Sequence, residues 1–395
     1  MKTIHLILLA IFLPLSTIAQ DTVNTAQLAA AAYINGLLDS AEVLSTQALA
    51  EKSTPERMLL RAEILFDKHQ YADAARYFTA ADKKKQGSSG TKRAEAYSLA
   101  GAVDSAFAAL DAYYGYPDRV SSAKIVSNPA FENLKTDARW QSVINKKDIN
   151  PYQKDLESAA HLIKTNRTAN AFELLNGVIK KHPSCHRAWY LRACAYRVDN
   201  NNKSALDDIE HAIKLHSRDV KYWNLLAETQ FFMQRYTKAA DTWIAALKYN
   251  ELSLDNYLYA ATSYLMAKDY AAAEKYSRLY WVMFEHNTDA VSVLSESLAC
   301  QGDGVAALRV LNTMPYKDAS FYRSRGIIYL QSETYQFAID DFNRAIDLDP
   351  TLYDIYLHRG MAYYSLGKKD DAKRDWNTAL KNRVYKANDY LEKYR

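Results

Sequence analysis

Seven alanines recur in phase along the C-terminal two thirds of this chain, at Ala171, Ala205, Ala239, Ala273, Ala307, Ala338 and Ala372. The step is 34 residues throughout, except from Ala307 to Ala338, where it is 31. A second small position keeps the same phase, reading Ala159, Ala193, Ala227, Ala261, Ser295, Gly326 and Gly360. An aromatic position precedes it at Trp189, Trp223, Tyr257, Tyr322 and Tyr356, with Asp155 and Val291 departing. A period of this length is that of a two-helix unit copied along the chain. Small residues stand where two helix backbones must approach, and large neighbours fill the space beside the contact.

The clearest copy is SFYRSRGIIYLQSETYQFAIDDFNRAIDLDPT, residues 320–351. Tyr322, Gly326 and Tyr329 mark its first helix, Ala338, Phe342 and Ala345 its second, and Pro350 ends it because proline cannot continue a helix. This ladder resembles the tetratricopeptide repeat. The resemblance implies an all-α fold, a superhelical solenoid of helix-turn-helix hairpins whose concave face is lined by first-helix side chains. Such a groove typically holds an extended peptide or a partner helix. The chain has only 11 Gly and 8 Pro and no sustained apolar/polar alternation, so strands are not expected.

The N-terminal stretch MKTIHLILLAIFLPLSTIA, residues 1–19, resembles a secretory signal peptide with cleavage after Ala19. Its apolar run, Ile4 to Leu15, is too short for a comfortable membrane span. The mature chain is therefore expected in the periplasm, outside the cell, or peripheral to the outer membrane, without an integral span. Residues 20–150 hold three looser hairpins followed by a cap of short helices. Ala41 and Ala48 belong to the first hairpin, Ala62, Leu65, Ala74, Phe78 and Ala81 to the second, and Ala94, Tyr97, Gly101, Ala106 and Leu110 to the third. The cap resembles the tail segment after short repeat arrays of bacterial proteins, through Phe131, Leu134, Asp137, Arg139 and Trp140. The seven-unit array spans residues 151–384, and residues 385–395 form a capping helix over its last hairpin.

With 50 basic against 46 acidic residues, and no run of five like charges, nucleic acid and anionic membranes have little electrostatic support as partners. No nucleophile, metalloprotease or phosphate-loop motif occurs, so neither catalysis nor a cofactor is expected. His182, Cys185 and His186 in KKHPSCH lack a fourth metal ligand and read as an inter-unit turn. Cys185, Cys194 and Cys300 are placed too far apart to bridge and are expected as free thiols. Arg192 with Asp208, Arg325 with Asp341 and Arg359 with Asp375 are present together in three units, and both members are missing in the other four. That joint pattern predicts an ion pair inside each of the three hairpins.

Phase places Arg187, Tyr190, Cys194, Arg197, Lys221, Asn224, Glu228 and Phe231 on the concave face. Asp255, Leu258, Thr262, Leu265, Ser292, Glu296 and Arg323 follow in the same register. The Lys and Asn set with which chaperone-binding relatives hold two carboxylates is not reproduced. The function expected is a non-catalytic scaffold of the bacterial envelope that binds another protein, or a second copy of itself, in this groove. The alternative is a non-catalytic accessory subunit of an exported hydrolase or secretion complex.

Overall fold

The computed structural model describes residues 23–116, 122–145 and 152–394, so the expected signal peptide lies outside the described residues. These residues form α-helices and one 3-10 helix, without strands. Most helices pair as hairpins. The first three hairpins are α1 (Thr25–Ile34) with α2 (Leu38–Glu51), α3 (Pro55–Asp67) with α4 (Tyr71–Lys84), and α5 (Lys92–Leu99) with α6 (Val103–Tyr114). Short elements follow: α7 (Ser122–Val126), the 3-10 helix Pro129–Leu134 and α8 (Arg139–Ile144).

Next come α9 (Gln153–Lys164) with α10 (Thr168–Lys181), α11 (His186–Val198) with α12 (Asn202–Leu215), and α13 (Val220–Phe232) with α14 (Tyr236–Ala246). The last four are α15 (Asp255–Met266) with α16 (Tyr270–Met283), α17 (Thr288–Cys300) with α18 (Gly304–Leu311), α19 (Ala319–Gln331) with α20 (Tyr335–Leu348), and α21 (Asp354–Ser365) with α22 (Lys369–Lys381). A final helix, α23 (Ala387–Lys393), packs on α22. The architecture is an all-α solenoid of helix-turn-helix hairpins.

Close approach within each hairpin follows from the small residues. All seven in-phase alanines of the second helices are 0% exposed, as are Ala159, Ala193, Ala227, Ala261 and Ser295 opposite them. At Gly326 a Cβ would stand 2.6 Å from the Phe342 ring, and at Gly360 one would stand 2.5 Å from the Trp376 ring. Those units use glycine because the facing aromatic already fills the space an alanine methyl needs.

All ten hairpins turn in the same way. The second residue after the first helix ends takes a left-handed conformation, with φ between 57° and 91°, at Gly36, His69, Gly101, Asn166, Asn200, Gln234, Lys268, Gly302, Glu333 and Gly367. The next residue's N–H returns to the carbonyl five residues back, as from Asp269 to Tyr264 and from Lys368 to Tyr363. This 6→1 bond satisfies a carbonyl the helix end would otherwise leave open. From Gly302 to Glu333 the turns are 31 residues apart. The three missing residues coincide with the eight-residue α18, the shortest second helix.

The three Arg–Asp pairs form as the sequence predicts. Arg192 Nε reaches Asp208 at 2.7 Å, Arg325 Nε reaches Asp341 at 2.6 Å, and Arg359 Nε reaches Asp375 at 2.8 Å. Each is bidentate through Nη2. Arg192 and Arg359 also donate to Asn176 and Asn343 of the preceding unit's second helix, at 2.7 Å in both cases. The residue in phase with these before Arg325 is Asn312, five after Ala307, which stands at the C-cap of the shortened α18.

In the short segment, Phe131, Leu134 and Trp140 are buried with Phe107, Leu110 and Tyr113 of α6. Arg139 binds both Asp137 and Asp104 at 2.8 Å and lies over the Phe107 ring. Hydrogen bonds from Arg139 hold the Asp137 carboxyl at about 2. The segment thereby covers the apolar end of the third hairpin.

One contact had no periodic signal. Helix α1 lies against the edge made by the loop before α15 and the end of α16, sharing a core with Leu254, Tyr280, Met283 and Phe284. Asn24 Nδ2 donates to Glu251 Oε2 at 3.2 Å, Gln27 Nε2 donates to the Glu251 carbonyl at 3.1 Å, and Asn35 Nδ2 donates to the Met283 carbonyl at 3.2 Å. Arg57 of α3, with a side chain only 6% exposed, donates from Nε to Glu251 Oε1 at 2.7 Å and from Nη2 to Oε2 at 3.2 Å. The first hairpins and the middle of the later array are thus fastened together.

Candidate functional site: the first-helix face

Successive first helices approach one another directly, in the pairs α9–α11, α11–α13, α15–α17, α17–α19 and α19–α21. No pair of second helices comes comparably close among the described residues. The stack therefore curves with its first helices inside, and the inner face is a surface of side chains repeating every unit.

The predicted groove residues occupy different environments. Arg187 Nη1 donates to Gln153 Oε1 of α9 at 3.0 Å. Tyr190 stacks on Tyr222 of α13, with centroids 4.8 Å apart. Burial raises the Tyr190 hydroxyl above its usual pKa and pushes the Cys194 thiol up to about 11. Arg197 reaches Glu228 of α13 at 3.2 Å, bonds Asn202, and lies over the Phe232 ring at 4.0 Å. Lys221 and Glu228 are exposed. Asn224 Oδ1 accepts from Asn256 Nδ2 at 3.1 Å, and the half-buried Phe231 meets the Tyr236 ring edge-on.

Further along, exposed Asp255 accepts from the Tyr280 hydroxyl at 2.9 Å, and Thr262 Oγ1 donates to the Leu258 carbonyl at 2.9 Å. Ser292 and Ser324 hydroxyls bond at 3.1 Å. Arg323 Nε donates to Asp354 Oδ2 at 2.7 Å, beside Glu296 and His358. Burial pushes the Glu296 carboxyl up and the His358 imidazole well down, and the Arg323 charge adds to the second effect. Leu258 departs from the expectation of a surface residue. It is 9% exposed, in the core that includes the α1 alanines, and is not available for docking.

A cavity of about 530 Å³ gathers part of this face at the start of the array. Gln153, His161 and Lys164 line it from α9, His186, Arg187 and Tyr190 from α11, and Lys221 and Tyr222 from α13. His216 and Asp219 of the α12–α13 turn and Lys124 of α7 complete it. His186 Nδ1 lies 2.7 Å from the Tyr222 hydroxyl, and its ring stacks on His216 with centroids 4.6 Å apart. Gln153 could have been read from phase, standing 34 residues before Arg187 as Lys221 stands 34 after it. His216 and Lys124 could not, because they come from a turn and from outside the periodic stretch.

Residues 326–367 match the family described as TPR repeat, and residues 353–383 match the family described as Tetratricopeptide repeat. Over residues 326–383 the chain is thus similar to tetratricopeptide repeats. It is 22% identical over 325 residues to the human mitochondrial import receptor subunit TOM70, covering 67% of this chain and 53% of that protein. It is 28% identical over 119 residues to the Hsp70-Hsp90 organizing protein of Triticum aestivum, covering 30% and 20% respectively. The chain thus spans about half the length of the first relative and a fifth of the second. Among solved structures, a tetratricopeptide repeat protein from Parabacteroides merdae aligns with a TM-score of 0.40 at 14% identity, covering 78% of this chain and 98% of that one. Yeast Tom70 aligns with a TM-score of 0.37 at 13% identity, covering 93% and 94%.

Proposed function

We propose that this chain is a non-catalytic scaffold whose first-helix face holds an extended segment or helix of a partner protein. The observation that carries this reading is the cavity assembled from three consecutive first helices, α9, α11 and α13. Part of its lining repeats with the unit: Gln153, Arg187 and Lys221 stand at equal intervals along the stack, as suits a ligand that runs across units. The names of two relatives, an import receptor subunit and an organizing protein, support a role in handling other proteins. The pattern of residues 1–19 supports export to the bacterial envelope, for which a mature N-terminus at Gln20 is the direct check.

The test is photocrosslinking with the tightest binder from a displayed library of random 12-residue peptides. A photoreactive residue replaces Lys221 or Glu228 on the inner face, or Lys203 or Lys238 on the second helices, all four being exposed. Crosslinks from 221 and 228 are expected. Crosslinks confined to 203 and 238 would refute the groove.

A further inference from the structure

We propose that the cavity between α7, α9, α11 and α13 selects an acidic polypeptide segment, and that Lys124, from outside the repeat array, completes the site. This rests on the groove reading above and adds the chemistry of the ligand. Lys124, Lys164, Arg187 and Lys221 converge on one cavity of about 530 Å³, against only two carboxylates, Glu157 and Asp219. Both carboxylates are partly engaged. Asp219 Oδ1 accepts from the Lys221 backbone N–H at 3.0 Å, and Glu157 Oε1 accepts from Gln153 Nε2 at 3.0 Å.

The excess of positive charge is local, since the whole chain has 50 basic and 46 acidic residues. Concave walls focus such a field, so a segment bearing carboxylates is drawn to this cavity and not to the rest of the inner face. Exposed Asp255 and Asp289 on the next two units oppose a long uniformly acidic ligand. The acidic part of the partner therefore sits at the α9–α13 end. The site is less suited to nucleic acid, which needs open aromatic faces for bases and a basic track for phosphates. Tyr190 and Tyr222 are stacked on each other, and Tyr222 is 2% exposed.

Fluorescence anisotropy on the full chain tests this with a labelled 12-residue peptide of alternating Glu and Ser, its Lys and Ser counterpart, and a 12-mer of oligouridylate. The Glu peptide is expected to bind at least tenfold more tightly than the Lys peptide, and to weaken as salt rises from 50 to 300 mM. Lys221→Glu and Lys124→Glu, both at exposed positions, are each expected to weaken it tenfold or more with the helical circular dichroism unchanged. Equal affinity for the two peptides, tighter binding of the oligonucleotide, or indifference to Lys221→Glu would overturn the assignment. Indifference to Lys124→Glu alone would remove the short helix from the site. Library peptides that crosslink to the inner face but are neutral would leave the groove standing and this inference refuted; no inner-face crosslinks would refute both.

Discussion

A lysine held at φ 64° is an unusual way to end a helix, and Lys268 is one of several such residues. His69, Gln234 and Glu333 do the same where other turns use Gly or Asn. An L-residue in the left-handed region costs about 1–2 kcal/mol, part of which glycine gives back through its own freedom in the unfolded chain. Lys268→Gly is therefore expected to stabilise the protein by about 0.5–1 kcal/mol, seen as a higher urea midpoint with unchanged slope. The bidentate Arg–Asp pairs act in the opposite sense when cut. Asp341 is 3% exposed, so Asp341→Ala leaves the Arg325 guanidinium without its carboxylate. A loss of about 1.5–3 kcal/mol is expected, read as about ten- to a hundredfold faster amide exchange in α19 and α20 with little change in α11 and α12.

At the scale of elements, the hairpins follow from the periodic small residues, and the sequence alone was enough to pair α19 with α20 or α21 with α22. It was not enough to place α1. Arg57 and Glu251 are 194 residues apart, in two stretches with no pattern relating one to the other. Their contact depends on how the whole stack curves, and Leu258 is buried for the same reason. Four of the ten turns were equally hidden, because His69, Gln234, Lys268 and Glu333 give no turn signal and only the returning 6→1 hydrogen bond shows the motif there. The groove positions could be read as phase, whereas the cavity's sign and extent needed Lys124 and His216.

The fastening at Glu251 has a pH dependence whose sign is fixed. Hydrogen bonding and charge from Arg57 hold the Glu251 carboxyl below its ordinary value of 4.5, against the opposing effect of burial. Its contribution is complete above that value and is lost as pH falls through the lower folded value. Glu251→Gln is expected to flatten this acid limb and to raise exchange in α1 at neutral pH. Energy transfer between labels on α1 and α16 reads the same event as a loss of proximity. An unchanged acid limb would show that the apolar contacts with Tyr280 and Met283 suffice.

For the whole molecule, no described helix is long and apolar enough to cross a membrane. The described helices form a curved stack with one face built from first helices. A chain of repeated contacts can distribute a binding energy over several units without any one residue dominating, which suits docking better than a reaction needing a few converging groups. Hydrogen–deuterium exchange of the full chain, with and without the tightest library peptide, tests this most directly. Added protection is expected along α9, α11 and α13, with α10, α12 and α14 unchanged. Protection confined to the second helices, or none at saturating peptide, would contradict the account.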